Sequence, residues 1–288
     1  MTLSLRARTI GLLERYQLRT QKRLSQNFLI DERVLQQLVA SLEIHSSDSM
    51  LEVGPGPGFL TEILAENSSH LIAVEIDPDF CAVLEERFKD NPKTKIVCQS
   101  ILSFDPKKHF KKTLYKAVGN LPYHLSGSIL RWFLDHRQCF SDLYFMLQKE
   151  VGERITAKPG SKNYGVLSIL CQYFTDPKIL FEIQQQAFLP PPKVDSVFLK
   201  LTPKKQDDAL APVFVDVVKR AFTHRRKTII NNFKPWDIFP TEKWQEILTG
   251  AGISLSERSE NLSVEVFIQL AALVTAYGGS DSLTINSP

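Results

Sequence analysis

The sequence predicts a doubly wound α/β domain followed by a smaller, all-helical C-terminal domain. Three observations carry that expectation. Short apolar runs alternate with helical stripes between residues 31 and 174, as in a sheet wound from strand–helix units. A Gly-rich turn follows the first clear strand and an acid closes the next, which is the first half of a nucleotide-binding unit. Beyond the polar, Pro-flanked segment "TPKKQDDALAP" (202–212), every apolar pattern is helical.

The elements follow in order. "DERVLQQLVASLEIH" (31–45) places apolar side chains at 34, 35, 38, 39 and 42, one helical face with Asp31 as N-cap. "SMLEVG" (49–54) reads as a buried strand and "FLTEILAEN" (59–67) as a helix. "LIAVEID" (71–77) is a second strand, and Pro78 suits the first turn of the helix in "PDFCAVLEERFKD" (78–90). "KTKIVCQS" (93–100) and "LYKAVGN" (114–120) are strands, and "SGSILRWFLDH" (126–136) is a helix. "DLYFMLQ" (142–148) is a strand that runs into a helix at 149–157. A helix at 164–174 and a strand at 194–203 complete the first domain, 1–203, which carries a basic N-terminal extension over about 1–25. Helices then fill 204–277, and 278–288 reads as a frayed tail.

Composition mainly excludes. No apolar run approaches the roughly 18 residues of a membrane span. The N-terminus has no apolar core of a secretory signal, although its arginines leave a transit peptide open. Cys81, Cys98, Cys139 and Cys171 are scattered, with no CxxC pair, and the six histidines show no ligand spacing. They read as free buried thiols in a reducing cytoplasm, with no metal site. A net charge of +3 says little by itself; where the charges cluster matters more.

The chemistry concentrates at strand ends. Gly54, Gly56 and Gly58 in "LEVGPGPGF" let the backbone turn tightly beneath a ligand. Their spacing is G-x-G-x-G, not the dinucleotide G-x-G-x-x-G, and Pro55 and Pro57 remove two N–H donors. The loop therefore suits a ligand without phosphates. Glu75, about 20 residues on, suits ribose hydroxyls. Together they point to an adenosine ligand without phosphates, S-adenosylmethionine. Ser100 ends the third strand, where two readings are open: a contact to the adenine edge, or a cap for the next turn. "GNLPY" (119–123) arrives on the same edge. Asn120 and the Leu121 carbonyl are acceptors for an exocyclic amine, Pro122 stiffens the turn, and Tyr123 offers a stacking face.

These residues resemble a known family. "QNFLID" (26–31), "LEVGPGPGFLT" (51–61), "VEID" (74–77), "GNLPY", "FMLQKEV" (145–151), "YGVLSI" (164–169) and "AFLPPPKVDS" (187–196) look like the ribosomal RNA adenine N6,N6-dimethyltransferases of the KsgA type, and "HRRKTIINNF" (224–233) is similar too. The resemblance implies a Rossmann-like, S-adenosylmethionine-dependent methyltransferase domain. It implies dimethylation of two adjacent adenines in a loop near the 3′ end of small-subunit rRNA, as part of small-subunit biogenesis. It places Asn27 and Leu29 over the cofactor, Gly54 at its methionine end, Glu75 at the ribose, Asn120 between cofactor and amine, Tyr123 beside the base, and Phe188 as a second aromatic wall, although the sequence alone reads Phe188 more readily as a core residue. Serine at position 100 departs from the family's usual aspartate.

Basic residues cluster at Arg15/Arg19/Lys22/Arg23, at Lys107/Lys108/Lys111/Lys112 and at His224/Arg225/Arg226/Lys227. Arg23, Arg225, Arg226 and Lys227 are the candidates for phosphate contacts in a monomeric RNA-binding enzyme. Three other readings compete: a resistance methyltransferase acting on large-subunit rRNA, an inactive assembly or transcription factor on the same scaffold, and a nicotinamide oxidoreductase, which the glycine spacing disfavours.

Overall fold

A computed structural model describes residues 3–18, 26–110, 114–205 and 209–278. The chain divides into two compact units. One is Met1–Gly152 with Pro177–Pro203, the other Glu153–Asp176 with Lys204–Pro288.

The first unit begins with helix α1 (Leu5–Arg15), capped by the Ser4 hydroxyl. A two-residue strand, β1 (Phe28–Leu29), precedes α2 (Glu32–Ser41). Asp31 caps α2 by accepting from Arg33 N and Val34 N, as its sequence position suggests. Then come β2 (Ser49–Val53), α3 (Phe59–Asn67), β3 (His70–Glu75), α4 (Pro78–Phe88), β4 (Thr94–Cys98), α5 (Pro106–His109), β5 (Tyr115–Asn120), α6 (Ser126–Asp135), β6 (Phe140–Gln148) and α7 (Lys149–Ile155). After α8 (Val166–Phe174), three strands follow: β7 (Thr175–Ile183), β8 (Phe188–Leu189) and β9 (Ser196–Pro203).

Seven strands form one sheet in the order β4-β3-β2-β5-β6-β9-β7. The pairings from β4 through β6 are parallel and β9 runs antiparallel to β6. Strand order reverses between β2 and β5, and ligands bind in the crevice that opens at the carboxyl ends of such a pair. Side chains alternate across the sheet. Val118, Tyr144 and Met146 join Leu38, Leu64 and Phe198 on one face. On the other, Phe145 packs with Phe133, which in turn meets Trp132 and Phe140. The edge strand β7 has no counterpart in the sequence reading, because Pro177 and its charged neighbours break the apolar run.

The second unit is helical. It adds α9 (Ala211–Ala221), α10 (Ile229–Phe233), α11 (Thr241–Gly250) and α12 (Val264–Gly278) to α8. Tyr173 of α8 stacks on Phe214 of α9 at 3.8 Å, and Phe233, Trp236 and Trp244 stack together. A single cut after residue 203 therefore does not follow the packing. Residues 153–176 are an excursion from the α/β unit whose apolar side chains are covered by the C-terminal helices.

The cysteine expectation is corrected. Cys81 and Cys98 form a disulfide, with Cα atoms 5.8 Å apart, while Cys139 and Cys171 are free. The reason is local. Helix α4 folds back over β4, bringing its first turn above the strand end that pairs with Glu75. The thiols consequently lend no support to a reducing compartment.

Gly119 is required by the close approach of β2 and β5. A Cβ there would sit 2.6 Å from Val53 O and 3.0 Å from Val53 Cβ. Backbone cannot yield as a flexible side chain does. Gly119→Ala is expected to cost about 1–3 kcal/mol, the usual cost of overpacking, measured as a lower midpoint in chemical denaturation.

Candidate active site

A cleft of about 1020 Å³, counted to its open mouth, lies at the reversal between β2 and β5. Its floor is the loop after β2. Gly54, Gly56 and Gly58 all adopt positive φ (67°, 51° and 80°), which any other residue would hold under strain. The register Val53↔Gly119 sets Gly54 beside Asn120.

Glu75, at the end of β3, is buried and lines the cleft. One carboxylate oxygen accepts from Gly56 N at 3.0 Å, and the other accepts from Ile76 N and Asp77 N at 2.8 and 2.9 Å. It thus holds the glycine loop in shape, and its remaining lone pairs can take ligand hydroxyls. Burial raises its carboxyl above the ordinary range and the charge of Asp77 adds to that, while the three N–H donors oppose it.

Residues 26–30 cross the cleft as a strap. Gln26 Nε2 donates to Asp77 Oδ2 at 2.7 Å, β1 pairs antiparallel with β8 (Phe28↔Leu189, Leu29↔Phe188), and Ile30 N donates to Ala187 O at 2.8 Å. The strap also fixes Asn120. The Asn120 Nδ2 donates to Asn27 O at 2.8 Å. With its donor end so engaged, the amide keeps its Oδ1 as an acceptor. Leu121 N donates to Met146 O at 3.1 Å, which holds the turn that carries Pro122 and Tyr123. Asn27, Leu29, Gly54, Gly56, Glu75, Asn120, Leu121, Pro122 and Tyr123 all line the cleft.

Two expected residues lie elsewhere. Ser100 is not part of the lining, and its Oγ accepts from Leu102 N at 3.2 Å, so the turn cap is the role the structure shows. Phe188, the register partner of Leu29, is 1% exposed and packs in the core with Leu38, Met146 and Phe198, and it is not part of the cleft lining. Among the basic residues, Arg225 is engaged within the helical unit, donating to Glu260 at 2.6 Å and to Lys162 O at 2.7 Å. Arg226 and Lys227 are exposed. Arg23, with Arg19 and Lys22, lies outside the described residues.

Sequence reasoning missed two contributors. Helix α1 lends Leu5 to the lining, and Arg8 bonds Glu62 at 2.8 Å while covering the Phe59 ring at 4.6 Å. Glu52 is the other. It is buried on β2, lines the cleft, and its Oε2 has no hydrogen-bond partner. An acid inside the apolar run "SMLEV" was its visible signal. Burial pushes its carboxyl up to about 8; the Thr61 hydroxyl beside it works against the shift and Glu75 works with it. Buried polar atoms are rarely left unpartnered, so Glu52 marks a place for a ligand donor.

Comparison with known proteins identifies the family. The sequence profile described as "Ribosomal RNA adenine dimethylase" matches residues 17–276. The chain belongs to that family. It is 39% identical to "Ribosomal RNA small subunit methyltransferase A" of Geobacter metallireducens, over 91% of this chain and 98% of that protein. It is 37% identical to the protein of that name in Streptococcus thermophilus, over 91% and 94%. Among solved structures, a dimethyladenosine transferase from Plasmodium falciparum superposes with TM-score 0.76 at 25% identity, covering 86% of this chain and 97% of that one. The 23S rRNA methyltransferase ErmE, at 22% identity and TM-score 0.67, covering 86% and 99%, shares the fold.

Glu52 supplies a pH test. Its folded-state value lies above the ordinary 4.5, so its contribution to stability is fully present below that value and lost as pH rises toward about 8. The melting temperature of the wild type, measured relative to Glu52→Gln, is expected to fall between pH 5 and pH 8. A constant difference across that range would contradict the assignment.

Proposed function

We propose that this protein transfers methyl groups from S-adenosylmethionine to the N6 amines of two adjacent adenines in a loop near the 3′ end of small-subunit rRNA, giving N6,N6-dimethyladenines. The observation that carries the reading is the Asn120 amide, held by Asn27 O so that its oxygen remains an acceptor at the strand edge beside Gly54. The names of the relatives support the substrate.

The cleft fits the cofactor. The unpartnered Glu52 Oε2 is matched by an ammonium group such as that of a methionyl moiety. Glu75 stands where ribose hydroxyls need an acceptor, and Pro55 and Pro57 leave few donors for a pyrophosphate. When bound, the cofactor supplies an electrophilic methyl group.

The chain's own residues do the rest. An exocyclic amine is a poor nucleophile because its lone pair is delocalised into the ring. Asn120 Oδ1 and the Leu121 carbonyl each accept one N–H, which turns the lone pair toward the methyl. Tyr123 stacks on the base, an interaction worth about 1–3 kcal/mol per base. The singly methylated amine retains one N–H, so one of the two acceptors suffices for the second transfer. The alkylated nitrogen is acidic, and its proton passes to water or the acceptors without a dedicated base. Catalysis is therefore chiefly positioning. A paired or stacked adenine is extruded to enter the cleft.

Exposed Arg226 and Lys227, with Arg225 and Arg23, meet rRNA phosphates. The enzyme acts as a monomer, in the cytoplasm, on the immature small subunit.

With labelled S-adenosylmethionine and unmethylated small subunits, Asn120→Ala is expected to lower transfer by at least about a hundredfold, the scale of losing one fixed polar group at a reacting centre. Its melting temperature is expected to stay near that of the wild type. Near-normal transfer by the variant would sink the mechanism.

A further inference from the structure

The Tyr123 side chain ends on a buried partner that no step above uses. Its hydroxyl lies 2.9 Å from Ser196 Oγ. Ser196 is 1% exposed and opens β9. Its backbone is fixed on both sides. It faces Gln148 in the β6–β9 register, and the preceding Asp195 accepts from Lys149 N through its carbonyl at 2.9 Å and from Gln185 N through its carboxylate at 3.0 Å.

Tyr123 is differently placed. It sits between β5 and α6, in a turn whose hydrogen bonds reach its main chain: Leu125 N to Pro122 O at 3.0 Å and Ser126 Oγ to Tyr123 O at 3.1 Å. Those bonds fix the Cα but leave rotation about the two side-chain torsions. Stacking needs a ring whose face points in one direction, and a hydrogen bond at the far end of the ring removes that freedom.

We propose that Ser196 is a positioning residue for methyl transfer, its hydroxyl locking the Tyr123 ring in the orientation that receives the target base. This rests on Tyr123 being the stacking side chain. It also connects two of the sequence motifs, since the last residue of "PPPKVDS" braces the "NLPY" turn from another strand of the same sheet.

A Ser196 that merely satisfies a buried polar group predicts something different, and a double-mutant cycle separates the two. Single-turnover transfer is measured on unmethylated small subunits at saturating cofactor, for Ser196→Ala, Tyr123→Phe, the double variant and Tyr123→Ala, with the cofactor Kd of each. Ser196→Ala and Tyr123→Phe are each expected to slow transfer about fivefold, the scale of one neutral hydrogen bond. The double variant is expected to be no slower than either, with cofactor Kd unchanged. Multiplying effects would overturn the proposal, as would wild-type rates in both folded single variants. If Ser196→Ala fails to fold, Tyr123→Phe decides, and a wild-type rate there rejects the brace. Tyr123→Ala tests the underlying reading. Full activity in it overturns stacking itself, whereas loss in it with unaffected Ser196→Ala and Tyr123→Phe overturns only the role of Ser196.

Discussion

The hydrogen bond from Asn120 Nδ2 to Asn27 O is the contact on which the site depends. It joins the strap at 26–30 to the end of β5 and decides which end of the amide faces the cleft. Without it the amide can turn over and present a donor where the proposed transfer needs an acceptor. The strap is itself bound at Asp77 and along β8, so the constraint reaches from the carboxyl edge of β3 to the β8 segment.

That contact can form only because the sheet reverses between β2 and β5. The reversal puts the glycine loop beside Asn120, and the bare Gly119 lets β2 and β5 come close enough to hold that register. Glu75 then ties the loop to β3 through Gly56 N. Three neighbouring strands thus present Glu75, Asn120 and the braced glycine loop to the same crevice. Two buried carboxyls, Glu52 and Glu75, share it, and both are raised by burial. Their desolvation is the counterpart of a site preorganised for ligand donors.

Much of this was legible in the sequence, and unevenly so. The five parallel strands announced themselves through apolar runs, and Gly54, Glu75 and Asn120 through their position at strand ends. What escaped was what depends on distant partners. The pairing of Phe28–Leu29 with Phe188–Leu189 joins segments far apart in the chain and has no periodicity to betray it. The sequence alone favours a core place for Phe188 and its motif a site aromatic; the structure packs it in the core. The Cys81–Cys98 bridge depends on how α4 folds over β4, which spacing alone does not reveal. Helix α8 reads as part of the first domain along the chain, while its apolar face is covered by helices that come later.

The most direct measurement is the position of a bound target base. A crystal structure with adenosine and the demethylated cofactor S-adenosylhomocysteine would show which groups surround N6. The account predicts N6 within hydrogen-bond distance of Asn120 Oδ1 and the Leu121 carbonyl, the Tyr123 ring parallel to the base, and Nδ2 still on Asn27 O. An adenine whose N6 lies away from Asn120, or an Asn120 released from Asn27, would contradict it.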